Sequence, residues 1–136
     1  MDRVPFDESG IGKDAKTACV LLVEDEGLIA EMISLALEDR GHCVCIVANA
    51  ADALGHLAAG ETFDILFTDI NLPGDMDGAA LAQKVRETRP DLPVIFASGR
   101  WSLLDKLRAV PRSVILPKPY SVTCACEAVE LLVTAG

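Results

Sequence analysis

Five polar residues sit where apolar runs stop. Glu24 and Asp25 follow Cys19-Val20-Leu21-Leu22-Val23, Asp69 closes Ile65-Leu66-Phe67-Thr68, Ser98 follows Val94-Ile95-Phe96-Ala97, and Lys118 comes just after Ser113-Val114-Ile115-Leu116. Brought together, these types suit one chemistry. Three carboxylates in one hollow repel each other at neutral pH unless a cation sits among them. A lysine offsets part of that charge. Hard oxygen ligands, few in number and with room left for water and phosphate, suit Mg²⁺ better than a fully caged Ca²⁺. A carboxylate nucleophile, a divalent ion, a hydroxyl donor and an ammonium can together accept a phosphoryl group, mainly by positioning and electrostatics. Each residue also has a plainer account. Glu24-Asp25-Glu26 would charge a helix N-terminus favourably, and Asp69 would shape the turn around Asn71 and Pro73. Ser98 would cap a helix, and Lys118 would be surface charge. The plain account suits Glu26 best. For the others, recurrence at successive strand ends argues for a set.

The elements that must position this set follow from periodicity. Residues 19–23 read as a first strand, rich in β-formers. Ile29, Met32, Ile33, Ala36 and Leu37 then recur at helical spacing, and Gly41 ends that helix. Val44–Val47 reads as a second strand. Asn49 caps a helix with Ala50, Ala53, Leu54, Leu57 and Ala58 on one face, stopped at Gly60. Phe63–Thr68 is a third strand, apolar enough to be covered on both faces. A helix follows near Asp77–Thr88, with Leu81 and Val85 inward, ended by Pro90. Pro93 opens a fourth strand, Val94–Ala97. Ser102–Val110 reads as a short helix, Ser113–Leu116 as the fifth strand. The last helix spans about Ser121–Val133, with Val122, Cys126, Val129 and Val133 on one stripe. Five strands alternating with five helices predict an α/β fold with a five-stranded parallel, doubly wound sheet, in which every strand's carboxyl end lies on one edge. In open α/β sheets that edge is where ligands bind.

Composition narrows the function classes. The 136 residues suit one domain, at residues 18–136, behind a polar tail at residues 1–17. The 51% apolar content can build a core, and the net charge of −9 argues against a nucleic-acid surface. No run is long and apolar enough to span a membrane and no signal peptide opens the chain, so a cytoplasmic protein is expected. The sequence stops just after the last helix, which predicts no fused output module. Five cysteines (Cys19, Cys43, Cys45, Cys124 and Cys126) lack zinc-site spacing and read as small buried hydrophobes in a reducing compartment. Cys43 and Cys45 share a strand face, whereas Cys124 and Cys126 lie on different helix faces.

The segments Val-Leu-Leu-Val-Glu-Asp-Glu (20–26), Leu-Phe-Thr-Asp-Ile-Asn-Leu-Pro-Gly (66–74), Met-Asp-Gly (76–78), Val-Ile-Phe-Ala-Ser-Gly (94–99) and Leu-Pro-Lys-Pro-Tyr (116–120) resemble a response-regulator receiver domain of a two-component system. The resemblance covers about Ala18 to Val133. It implies a flavodoxin-like (βα)5 fold with strand order 2-1-3-4-5. It implies Asp69 as phosphoacceptor, with Asp25, Asp69 and the Asn71 carbonyl binding Mg²⁺ and Glu24 acting through metal-bound water. Ser98 and Lys118 would each contact a phosphoryl oxygen, and the Lys118–Pro119 bond would be cis. The implied donor is a phosphohistidine on a sensor histidine kinase or phosphotransfer protein. The implied output is binding of a downstream protein, or service as a phosphate sink, rather than enzymatic turnover.

Departures from the family pattern are local. Receivers usually carry Tyr or Phe where this chain has Ile115, which has no ring to swing inward. With Phe-Ala-Ser-Gly at 96–99, the chain resembles the atypical single-domain group known by its Phe-Ala-Thr-Gly motif. Trp101 and Tyr120 are candidates for the displaced aromatic role, with ordinary packing as the simpler account. Residues 74–78 hold one more residue than the usual loop, so Asp75 either adds charge to the site or faces solvent. Arg100, two residues after Ser98, is a candidate gate over the phosphoryl group. The last helix, with Ala, Val and Cys on its surface, is a candidate homodimer face. Two rivals stand beside this reading. A pseudo-receiver would bind a partner without phosphorylation, which Ile115 keeps open. A haloacid-dehalogenase-type phosphatase needs Asp-x-Asp with the second acid as proton donor, and Asn71 occupies that place.

Overall fold

β1 (Cys19–Val23) lies between β2 (Cys43–Val47) and β3 (Ile65–Asp69), followed outward by β4 (Val94–Ser98) and β5 (Ser113–Pro117). This computed structural model describes residues 17–99 and 111–135. All neighbouring strands are parallel, in the order β2-β1-β3-β4-β5, as the resemblance implies. The described helices are α1 (Gly27–Asp39), α2 (Ala50–Ala58), α3 (Gly78–Thr88) and α4 (Val122–Ala135). The expected helix at 102–110 lies outside the described residues, as do the tail at 1–16, Arg100 and Trp101.

Strand alternation sorts the core into two layers. Val20, Leu22, Phe67, Ile95 and Ala97 pack against Ala30, Ile33 and Leu37 of α1 and Ala125, Cys126 and Val129 of α4. Leu21, Val23, Leu66, Val94 and Phe96 pack on the other side against Ala50 and Ala53 of α2 and Leu81 and Val85 of α3. Every residue of β3 and β4 is buried, which explains why those strands read as unbroken apolar runs.

Local punctuation is largely as the sequence predicts. Gly41 and Gly60 have φ of +93° and +88°, just past the helices they end. Asn49 Oδ1 accepts from the Asp52 N–H at 2.8 Å, and Asp77 Oδ1 from the Ala80 N–H at 2.8 Å, capping α2 and α3. Ser121 Oγ accepts from the Cys124 N–H at 3.0 Å at the start of α4.

Three expectations need correction. The third strand starts at Ile65, not Phe63, and takes in Asp69 itself. Met32, assigned by spacing to the inner stripe of α1, is 49% exposed; the step of about 100° between neighbouring helical residues turns it past the edge of the sheet contact that Ile33 makes. The cysteines are not uniformly buried: Cys126 is, Cys19 and Cys45 are half-buried, and Cys43 and Cys124 are exposed. Cys43 and Cys45 sit on an edge strand, where one flank has no neighbouring strand to cover it.

Candidate functional site

The strand order reverses between β1 and β3, because β1 continues outward to β2 while β3 continues to β4 and β5. A crevice therefore opens at the carboxyl ends of β1 and β3. Glu24 and Asp25 leave β1 into that crevice, and Asp69 is the last residue of β3. Glu24, Asp25 and Asp69 each bring one carboxylate oxygen to within 4.8 Å of the others'. Asp69 is 4% exposed and Glu24 3%, whereas Asp25 is exposed. The hollow thus has a buried floor and one acid at its mouth.

Lys118, just after β5, reaches back so that its Nζ lies 2.6 Å from Asp69 Oδ2. The other oxygen, Oδ1, accepts from the Asn71 N–H at 3.1 Å. Glu24 Oε2 accepts from the Glu26 N–H at 3.1 Å. Burial pushes the Glu24 carboxyl above its ordinary range, and the charges of Asp69 and Asp25 push it the same way, against the Glu26 N–H and Lys118. Burial alone would lower Lys118, but its hydrogen bond to Asp69 and the charges of Asp69, Glu24 and Glu26 win and raise it. The ammonium is therefore held charged beside the acids.

Ser98 is 2% exposed at the end of β4. The Lys118 N–H donates to the Ser98 carbonyl at 2.9 Å, so the β4 and β5 ends are tied together at the site. The Lys118–Pro119 peptide is cis, as the resemblance implies. Asn71, Ser98 and Lys118 thus all arrive next to the acidic cluster. Asp75 is exposed and is not among the clustered acids. The donor set fits a hard divalent cation: every side chain in the cluster offers carboxylate oxygen, with no thiol or imidazole among them.

Two supports stand out less in the sequence. A Cβ on Gly78 would lie 2.2 Å from the Asp69 carbonyl oxygen and 2.9 Å from the Ile70 Cα. The first turn of α3 is therefore pressed against the backbone of the buried acid, and the Gly78 N–H donates to the Ile70 carbonyl at 2.9 Å. Met-Asp-Gly at 76–78 carried that signal only as a motif. Thr68, fully buried, donates its hydroxyl to the Asp69 carbonyl at 2.9 Å. Nothing in its apolar run marks it out.

Ile115 and Tyr120 fall on opposite faces of the sheet. Ile115 pairs with Phe96 and packs in the α2–α3 layer. Tyr120 packs in the α1–α4 layer, its ring 6.3 Å from that of Phe67. Its hydroxyl is buried with no hydrogen-bond partner, and burial, then the charges of Glu24 and Asp69, push its phenol pKa up. Tyr120 therefore does not fill the space that a ring at 115 would reach. Beside it an apolar groove of about 500 Å³ runs from Lys118 along Ile29, Met32 and Ile33.

The response regulator receiver domain model matches residues 20–130, and the chain belongs to that family. It is 33% identical over 119 residues to the response regulator receiver protein CpdR of Brucella abortus, covering 86% of this chain and 98% of CpdR. It is 32% identical over 108 residues to the DNA-binding transcriptional regulator NtrC of Rhizobium meliloti, covering 78% of this chain but 22% of NtrC. The sensor kinase CckA of Brucella abortus is 37% identical over 109 residues, again 78% of this chain and 11% of CckA. The chain thus spans under a quarter of these two longer relatives. Among solved structures, a response regulator receiver protein from Sinorhizobium medicae superposes with a TM-score of 0.79 at 32% identity, covering 88% of this chain and 97% of that one.

Proposed function

We propose that the chain is a single-domain, cytoplasmic response regulator that accepts a phosphoryl group on Asp69 from a phosphohistidine of a sensor histidine kinase or phosphotransfer protein. The observation that carries this reading is a buried Asp69 carboxylate with an ammonium at 2.6 Å and two further acids grouped around it. In the transfer an Asp69 oxygen forms the bond to phosphorus as the phosphorus–nitrogen bond breaks, and the histidine ring, already protonated on its other nitrogen, takes the electron pair and leaves as neutral imidazole. Lys118 moves from its Asp69 oxygen to a phosphoryl oxygen, and Ser98 hydrogen-bonds a second. The Asn71 N–H keeps the acid oriented. Asp25, Asp69 and the Asn71 carbonyl would hold Mg²⁺, with Glu24 acting through bound water. When bound, the ion neutralises charge on the transferring oxygens.

No helix among the described residues is long and apolar enough to cross a membrane. Three exposed apolar residues of α1, Leu28, Met32 and Leu35, lie one to two turns apart. They make a surface beside the hollow against which an apolar helical donor would pack. The small residues of α4 are less available for a homodimer: Ala125, Cys126, Ala128 and Val129 are buried in the chain's own core, and Leu131 is the large apolar residue left exposed there. The reading assigns no turnover of a separate substrate. Signalling through a downstream protein and draining of a kinase differ in whether a partner binds only the phosphorylated form.

Incubation with phosphoramidate and Mg²⁺ tests the reading. The wild-type chain should gain one phosphoryl group by mass and the Asp69→Asn chain none. Equal labelling of Asp69→Asn would refute it.

A further inference from the structure

The other end of the same sheet holds a second cluster with its own chemistry. Cys19 opens β1, Cys43 opens β2, and the two are direct cross-strand partners in the parallel register. Neighbouring parallel strands lie about 4.8 Å apart, inside the roughly 4.4–6.8 Å Cα separation that a disulfide spans. Partners in a parallel register point their side chains to the same face, so the two thiols lie side by side. Both line an open cleft of about 310 Å³ with Cys45, Glu61 and Phe63. Cys43 is exposed and Cys19 half-buried. Cys45 shares their face but pairs with Leu21, one step up the strand, and its Sγ lies 3.9 Å from His56 Nε2.

We propose that Cys19 and Cys43 form a reversible disulfide when hydrogen peroxide reaches this cleft. The Cys43 thiolate attacks the peroxide. A sulfur–oxygen bond forms, the oxygen–oxygen bond breaks, and the released hydroxide takes up the proton that the Cys43 thiol had shed and leaves as water. Cys19 sulfur then attacks the sulfenic sulfur of Cys43. The sulfur–sulfur bond forms, the sulfur–oxygen bond breaks, and the departing hydroxide takes the Cys19 proton as a second water. Two thiols give up two electrons and two protons, and one peroxide is reduced to two waters. The order of attack has a physical basis. A side-chain hydrogen bond between Cys19 and Cys43, then burial and the charges of Cys43 and Asp64, push the Cys19 thiol up, so it is held as a thiol. The exposed Cys43 is the sulfur that meets an oxidant first.

The bond would staple the edge strand β2 to β1 at the rim opposite Asp69. A link between directly paired strands draws the two Cβ atoms together, so it should be easily reduced.

Peptide mapping of the full chain after hydrogen peroxide and alkylation tests this. The expected result is a Cys19–Cys43 cross-link with the mass of two hydrogens lost, both thiols returning on addition of reduced glutathione. The cross-link should vanish in Cys19→Ser and in Cys43→Ser and persist in Cys45→Ser and Cys124→Ser. Loss of the cross-link in Cys45→Ser, a link between two copies of the chain, or only over-oxidised or glutathione-capped Cys43 would overturn the proposal. So would a cross-link that reduced glutathione fails to open.

Discussion

The two ends of one parallel sheet gather side chains by the same geometry and do different things with them. At the carboxyl end, Glu24, Asp25, Asp69 and Lys118 come from three strand ends, and the deepest acid is sealed from water. Toward the amino end, Cys19, Cys43 and Cys45 come from two strands and line an open cleft, Cys43 exposed and the other two half-buried. The contrast teaches what burial adds. A buried carboxylate beside like charges raises the energy of the empty site, so cation and phosphoryl group find it already disposed to bind them. A half-exposed thiol pair stores no such penalty and waits on an external oxidant. Helix starts also differ: α3 presses Gly78 onto the Asp69 backbone, whereas Gly41, beside the cysteines, would meet only the Thr17 side chain at 3.4 Å.

The largest effect is expected from Gly78→Val. Its Cβ would sit 2.2 Å from the Asp69 carbonyl, so α3 or the acid must shift. A loss of about 3 kcal/mol in denaturant unfolding and loss of phosphoryl uptake should follow. Gly55→Ala, on α2 with nothing within 4 Å, should instead gain about 0.5–1 kcal/mol.

Lys118→Met comes next. It strips the 2.6 Å partner from a buried acid. With the lysine side chain 28% exposed, solvent screening reduces the loss to about 2 kcal/mol in the absence of divalent ions. Mg²⁺ should restore part of it, while labelling by phosphoramidate falls about 100-fold.

The pH dependence is smaller. The Glu24 carboxyl is raised, so the folded chain binds its proton more tightly than the unfolded chain. The resulting cost is present at neutral pH and disappears as pH falls through the raised value toward the ordinary 4.5. Without divalent ions, thermal unfolding should therefore show this group stabilising the fold as pH drops through that window, and Glu24→Gln should remove that contribution. Lys118 acts in the opposite sense. Its stabilisation is complete below 10.5 and is lost only as pH rises through its raised value.

The smallest effect belongs to the cysteine end. Cys43→Ser should leave phosphoryl uptake within about 2-fold of wild type, because the residue sits at the opposite rim. A larger change would mean the two ends are coupled through β1.

Much of the architecture was legible because it is local. Apolar runs bounded by Gly41, Asn49, Gly60, Pro90 and Pro93 marked strands and helices, and the polar residues where those runs stop named the acids, the serine and the lysine. Periodicity failed where exposure depends on the neighbour. Met32 has helical spacing, but whether it is covered depends on how α1 sits against α4 and the sheet. The cysteines failed likewise, since an edge strand differs from a central one only through what pairs beside it.

From sequence alone came the alternation of strand and helix, the identity of the acidic set, and the single edge to which it had to converge, because each follows from side-chain period and chain direction. It took the packed fold to show that Asp69 is buried while Asp25 is exposed, that Gly78 bears on the Asp69 carbonyl, and that Cys19 pairs with Cys43. Those facts depend on register and packing between segments far apart in the chain, and no local pattern encodes such distances.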